Sequence, residues 1–219
     1  MRYGLTHNDR IQVGPRDWNY WFFRDYIDRK GLDPQALPTV APSAAVITDT
    51  WRLLPVTNVE TPDINTTFER LVGPTWTILA DSITGAYTSE DRPLDEIRGE
   101  LKNRAAANRY DVETGELTFT FPDSEQVTLF TDRQERNVYL QTLQVFPTGE
   151  TVPFKFRNGV IRPSVTQSEL ADIVAAVVGH VRAAFEWERD KAIEIDDAVD
   201  IPALQAIEIR HPSQIPPEE

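Results

Sequence analysis

Val152-Pro-Phe-Lys-Phe-Arg-Asn-Gly-Val-Ile-Arg-Pro163, followed closely by Thr166-Gln-Ser-Glu-Leu-Ala-Asp-Ile-Val-Ala-Ala-Val-Val-Gly-His-Val-Arg-Ala-Ala-Phe185, decides the fold class. The first piece is apolar on both sides of Asn158-Gly159, a dipeptide that accepts the positive φ values of a type I′ turn, so it predicts a tight β-hairpin. In the second, Thr166 and Glu169 have the spacing of a capping box. Leu170, Ile173, Val174, Val177, Val178, Val181 and Phe185 then recur with the period of an α-helix, which predicts one long amphipathic helix with these residues on its core face. A hairpin running straight into a long helix predicts an α+β domain of short hairpins packed on helices.

The pattern extends in both directions. Upstream, Pro93 with Asp95-Glu96 opens a helix to about Asn108, with Leu94, Ile97, Leu101 and Ala105 on one side. Tyr110/Val112 and Leu117-Thr-Phe-Thr-Phe121 then read as two strands joined at Thr114-Gly115. Asp132 with Glu135 starts a second helix through about Leu143, bearing Val138, Leu140 and Leu143 and ended by Pro147 and Gly149. Downstream, Asp200 and Pro202 start a short helix with Ala203, Leu204 and Ile207. These pieces define a domain over 93–209, followed by a polar tail over 210–219 that begins beside His211. The polar stretch Thr88-Ser-Glu-Asp-Arg-Pro93 is its upstream boundary, and no internal repeat is present.

Residues 1–92 read as a separate docking region: an aromatic helix, a proline-rich strap and a small antiparallel β region. Asp17-Trp-Asn-Tyr-Trp-Phe-Phe-Arg-Asp-Tyr-Ile-Asp-Arg-Lys30 predicts the helix, with Asp17 as N-cap and Gly31 as the stop. Trp18, Trp21, Phe22 and Tyr26 form one stripe on it, and Tyr20, Phe23 and Ile27 another, so it needs cover on more than one side. Pro34, Pro38 and Pro42 predict an extended strap. Ala45 to Leu54 and Thr75 to Ala80, the latter continuing towards Tyr87, predict the antiparallel strands, separated by Pro55, Pro62 and a turn at Gly73-Pro74.

Composition narrows function. The chain has 219 residues, with 22 Lys+Arg and 35 Asp+Glu, so its net charge is 22 − 35 = −13. Such a surface repels polyanions, and nucleic acid is not expected as a partner. Zero cysteines exclude disulfides, thiolate metal sites and Cys nucleophiles. No run reaches the roughly 18 apolar residues that cross a bilayer, and Met1-Arg-Tyr-Gly-Leu-Thr-His-Asn-Asp-Arg10 lacks a signal-peptide layout, so no membrane association is expected.

No catalytic motif appears. His7, His180 and His211 have no metal-pair spacing. His180, one step off the apolar stripe, reads as a half-buried histidine hydrogen-bonded at a core edge, and His7-Asn8-Asp9 fits a plain turn equally well. The acidic run from Glu194 to Asp200 lacks the glycine and terminal Glu of a calcium loop and reads as a solvated helix end. Glycine-rich phosphate loops, G-x-S-x-G and H-E-x-x-H are absent. Trp187 reads as covered by the last short helix, with a surface anchor as the alternative. No enzyme activity, cofactor or metal is expected.

A resemblance supplies what the chemistry does not. It is carried by Leu94, Ile97 and Lys102-Asn-Arg104, by Leu117 to Phe121, by the helix after Asp132-Arg-Gln-Glu135 and by Phe154 to Ile161. Its clearest part is Gln167 to Val181, then Lys191-Ala-Ile193 and Ile201-Pro-Ala-Leu-Gln-Ala-Ile207. From about Leu94 to Ile209 the chain resembles an uncharacterised domain family, a domain of unknown function, found at the C-terminal end of many tailed-bacteriophage tail-fibre, tail-fibre-assembly and baseplate-associated proteins. Two departures stand out: no glycine lies between Phe119 and Asp132, and the chain continues past Ile209. The family pattern transfers packing and turn positions but no catalytic residue.

The resemblance implies a non-enzymatic structural part of a phage tail, made in a host cytoplasm and located in the virion, connecting or supporting the tail fibre at the baseplate. The alternative it implies is a tail-fibre assembly chaperone absent from the mature particle. Either way the partners are other phage tail proteins of the baseplate or fibre, with self-association left open. Trp18, Trp21, Phe22, Phe23 and Tyr26 are the expected partner-binding residues, because aromatic anchors concentrate binding energy.

Overall fold

The polar first seventeen residues pair with one another. In the computed structural model, which describes residues 1–38, 41 and 44–214, β1 (Arg2–His7) and β2 (Arg10–Asp17) form an antiparallel hairpin. Its turn residues Asn8 and Asp9 take φ of 47° and 55°, left-handed values that Asn and Asp tolerate better than most side chains. His7-Asn8-Asp9 is thus part of a turn. The pairing also moves the helix start: Asp17 ends β2, and the N-cap of α1 (Tyr20–Arg29) is Asn19, whose Oδ1 accepts from the Phe22 N–H at 3.0 Å. Gly31, at φ 70°, stops the helix, with its N–H on the Asp28 carbonyl and the Leu32 N–H on that of Ile27.

Of the proline strap, Pro34–Ala36 forms one 3-10 turn capped by Asp33, and Pro38 has no regular structure. Pro42 lies outside the described residues. β3 (Ala45–Val46), β4 (Trp51–Glu60), β5 (Glu69–Ile78) and β6 (Ile83–Asp91) complete a six-stranded sheet of order β2-β1-β4-β6-β5, with β3 beside β4. The expected small antiparallel sheet is thereby corrected, because β4 and β6 run parallel. Pro55 does not break the strand. It sits where β4 changes partner, from β1 over Trp51 to Pro55 to β6 from Val56 onward. Gly73-Pro74 is likewise no turn between strands but a bulge inside β5, with a cis peptide and Gly73 at φ 113°.

α1 covers one part of this sheet. Phe23 and Ile27 are fully buried against Tyr3, Leu5, Leu37, Ile47, Trp51 and Leu53, each contributing about 1.5–3 kcal/mol relative to exposure. Farther along, Ile83 of β6 is still buried, but residues 57–60, 70–73 and 88–91 are exposed throughout.

The chain divides between Arg92 and Pro93 into two units. In the second, α2 (Leu94–Glu113) is longer than its sequence predicts, and Tyr110 and Val112 are helical rather than extended. The reason is Thr114-Gly115, which ends a helix instead of turning a hairpin: the Thr114 N–H bonds the Tyr110 carbonyl and the Gly115 N–H that of Val112. β7 (Glu116–Thr120) pairs instead with β8 (Gln126–Phe130). In α3 (Arg133–Gln144) the side chain turned fully inward is Tyr139; of the three apolar residues read on this helix, Leu143 packs against the core and Val138 and Leu140 are exposed.

β9 (Thr151–Lys155) and β10 (Ile161–Thr166) make the expected hairpin, but only Gly159 takes a positive φ, 91°. The turn therefore runs over Arg157-Asn158 into a left-handed glycine, with the Gly159 N–H on the Phe156 carbonyl, rather than being type I′. α4 (Gln167–Asp197) follows, with the Thr166–Glu169 capping box formed in both directions. Leu170, Ile173 and Val177 on its first half pack with Phe121, Val127, Leu129, Tyr139, Phe154, Phe156 and Val165. Further along, Ala184 and Ile195 are buried, as are Ile97, Leu101 and Ala105 of α2, which runs beside α4. Val178 and Phe185, expected in the core, stand outside it. α5 (Ile201–Gln205) begins at the Asp200 cap, as the sequence indicates. Ten strands and five helices among the described residues make a mixed α+β fold with one long helix, and no described helix is long and apolar enough to cross a membrane.

Candidate docking surface

The aromatic helix uses most of its rings on its own unit. Trp18, which precedes the first helical residue, packs edge-on against Tyr3 at 5.2 Å and lies over Phe23 at 5.6 Å. Phe23 is sealed in the core at 0% exposure, so it is corrected from the expected docking set. Phe22 is half-buried with the Arg16 guanidinium 3.8 Å above its ring, and Tyr26 is half-buried with Lys30 Nζ 5.6 Å from its ring. Part of the cover for the stripe that carries Phe22 and Tyr26 thus comes from the chain's own cations, in the geometry of cation–π contacts.

Trp21 is the exception. Its side chain is 69% exposed, it meets Tyr20 edge-on at 5.2 Å, and Arg24 lies 5.3 Å from its ring. With Arg24, Asp25, Asp28 and Pro34 it borders a shallow surface depression. Of the five expected residues, the structure therefore offers Trp21 openly, Trp18, Phe22 and Tyr26 in part, and Phe23 not at all.

A second surface, which the sequence does not signal, lies where α2 ends and α3 begins. Tyr110, Glu113, Thr114, Phe130, Asp132, Arg133, Gln134, Arg136 and Arg157 line an open cleft of about 730 Å³. Beneath it, Glu113 is buried between Arg109 and Arg136, the latter at 2.9 Å, and Arg109 also reaches Glu188 at 2.9 Å and lies over Phe185 at 4.5 Å. Asp132 caps α3 through the N–H groups of Gln134 and Glu135 and takes Arg157 at 2.5 Å, whose guanidinium sits 4.8 Å over Phe130. Groups from α2, β8, α3, the β9–β10 turn and α4 meet here, so no spacing in the sequence announces them.

Other polar groups hold the fold. Arg162, nearly buried, stacks 3.8 Å over Phe121 and reaches Asp123 at 2.6 Å, Glu125 at 2.5 Å and Glu169 at 3.4 Å. That guanidinium holds the Asp123 carboxyl below its ordinary range. Glu169 is lowered as well, first by the Thr166 backbone N–H it accepts from and second by the Thr166 hydroxyl, with Arg162 adding to both. Tyr139 is pushed up to about 12, chiefly by burial. His180 behaves as its sequence position indicates: half-buried, with Nε2 2.7 Å from the Val112 carbonyl. Trp187 meets His211 edge-on at 5.1 Å, and burial lowers the His211 pKa. Glu194 pairs with Lys191 and Asp196 with Lys102, both at 2.6 Å. Among the described residues no three His, Asp or Glu converge as metal ligands.

Residues 96–209 match a family described as "Domain of unknown function (DUF4376)". No curated protein and no solved structure matches the chain.

Proposed function

The chain belongs to the DUF4376 family, and on that premise we propose that it is a non-enzymatic structural component of a bacteriophage tail, located in the virion and connecting or supporting the tail fibre at the baseplate. The sequence resemblance from Leu94 to Ile209 to phage tail-fibre and baseplate-associated proteins supports the setting. The observation that carries the docking role is Trp21: a 69% exposed indole on a helix whose Phe23 is sealed in the core and whose Tyr20, Phe22 and Tyr26 are half-buried. An indole buries roughly 150–250 Å² on contact, and tryptophan is over-represented among residues that dominate interfaces. Tyr20, Arg24 and Asp25 around it supply a polar rim. The partners are other tail proteins of the baseplate or fibre.

Quantitative mass spectrometry of purified virions, normalised to the major tail-tube protein, tests the setting. A fixed stoichiometric signal is expected. Absence from particles with abundance in the infected-cell lysate would overturn the structural role in favour of an assembly chaperone. Trp21→Ala tests the surface: virions should lose fibre occupancy while the purified variant keeps its melting temperature, and normal occupancy would remove Trp21 from the interface.

A further inference from the structure

We infer that the cleft at the start of α3 docks an acidic polypeptide segment that also carries aliphatic side chains. The inference stands on the second unit alone, independent of a tail location. Three arginines and two carboxylates line the cleft, a local charge of 3 − 2 = +1 in a chain of net charge −13. Both carboxylates are committed to the fold, Glu113 between Arg109 and Arg136, and Asp132 as the α3 cap and the partner of Arg157. Arg133 is exposed and has no hydrogen bond or ion pair among the described residues, so its charge faces the opening unneutralised. Arg157 is stacked on Phe130 and Arg136 anchored on Glu113. Two of the three forks are thus held in place before a carboxylate arrives, which lowers the ordering cost of a charge-assisted pair.

The neighbouring surface selects a polypeptide over a small anion or a nucleic acid. Arg136 also borders an apolar notch between α3 and α4 formed with Tyr139, Leu140, Val174, Val177 and Val178. Val178 is 55% exposed, Leu140 41% and Tyr110, which lines the cleft, 58%. The cationic cleft and the apolar notch adjoin at Arg136, which lines both. A peptide alternating Glu or Asp with Leu, Ile or Val fills both. A phosphodiester backbone has no aliphatic group to place in the notch.

The probe is a fluorescein-labelled Glu-Glu-Leu-Glu-Glu-Leu peptide, titrated with the full chain by fluorescence anisotropy. Saturable binding is expected, weakening with salt and falling by at least about tenfold in Arg133→Glu, whose side chain has no structural partner to lose. Val178→Asp is expected to weaken this peptide and leave an all-Glu peptide of equal length unchanged. Both variants should keep the wild-type melting temperature. Absence of saturation at millimolar protein, or equal binding by Arg133→Glu, overturns the site. Equal affinity for a heparin oligosaccharide of the same charge overturns the polypeptide selectivity, and insensitivity to Val178→Asp overturns the aliphatic half.

Discussion

One strand, β4, passes through two environments. Up to Pro55 it is enclosed, with Leu53 and Leu54 at 0% and 1% exposure; beyond Val56 it runs out beside β6 with 57–60 wholly exposed. α4 also spans two packing environments, yet both of its halves carry buried side chains, Leu170 and Ile173 at one end and Ala184 and Ile195 at the other. The difference lies in the covering layer. α1 lies over the enclosed part of the sheet, whereas the uncovered ribbon relies on local contacts. Trp76 sits over Gly85, Arg70 pairs with Glu90 across the strands at 2.6 Å, and the Arg92 guanidinium donates to the Thr66 and Thr67 carbonyls at 3.0 Å. Apolar burial stabilises one region; side-chain stacking and polar clasps shape the other.

The sharpest way to break this comparison is a pair of truncations read by urea denaturation. Leu53→Ala should cost about 2–5 kcal/mol, and Val59→Ala in the ribbon should stay within about 0.5 kcal/mol; similar losses would mean the ribbon is enclosed after all. Gly85→Ala comes next. An added Cβ would meet the Trp76 ring at 2.5 Å, so a loss of about 1–3 kcal/mol is expected, with faster amide exchange confined to β5 and β6. In the second unit Thr166→Ala should cost about 1 kcal/mol by unmaking the capping box, seen as a lower melting temperature.

A smaller effect is set by pH. Asp123 and Glu169 have folded-state pKa values below their ordinary 3.8 and 4.5, so each stabilises the fold above that range. The contribution is lost as pH falls through the depressed values, when the carboxyls take up protons in the folded state as well. Urea midpoints should therefore drop between about pH 5 and pH 2, and Arg162→Met should flatten that drop. An undiminished slope in the variant would remove Arg162 from its cause.

The sequence carried α4 and its cap almost whole, because a capping box and a helical period are local signals that tertiary packing reinforced. It misled at Thr114-Gly115, since the pair suits a hairpin turn and a helix end equally and only the pairing of β7 with β8 decides. Pro55 and Gly73-Pro74 read as breaks because a partner switch and a bulge depend on strands far away in the chain. On α1 the period separated Phe23 and Ile27 from Trp21 correctly, yet the inward stripe could not be told from the outward one without β1 and β4. The cleft was not legible at all: Tyr110, Asp132, Arg136 and Arg157 come together only through the folded path of α2, α3 and the β9–β10 turn.

α4 has one further consequence. Its 31 residues, at about 1.5 Å each, make a rod about 46 Å long, gripped at its start by the hairpins and towards its end by α2. A pull applied at one end travels along an unbroken hydrogen-bonded ladder to the other, with no hinge to absorb it. The second unit should accordingly bear tension as a single strut, and in optical-tweezer extension yield in one rupture rather than two.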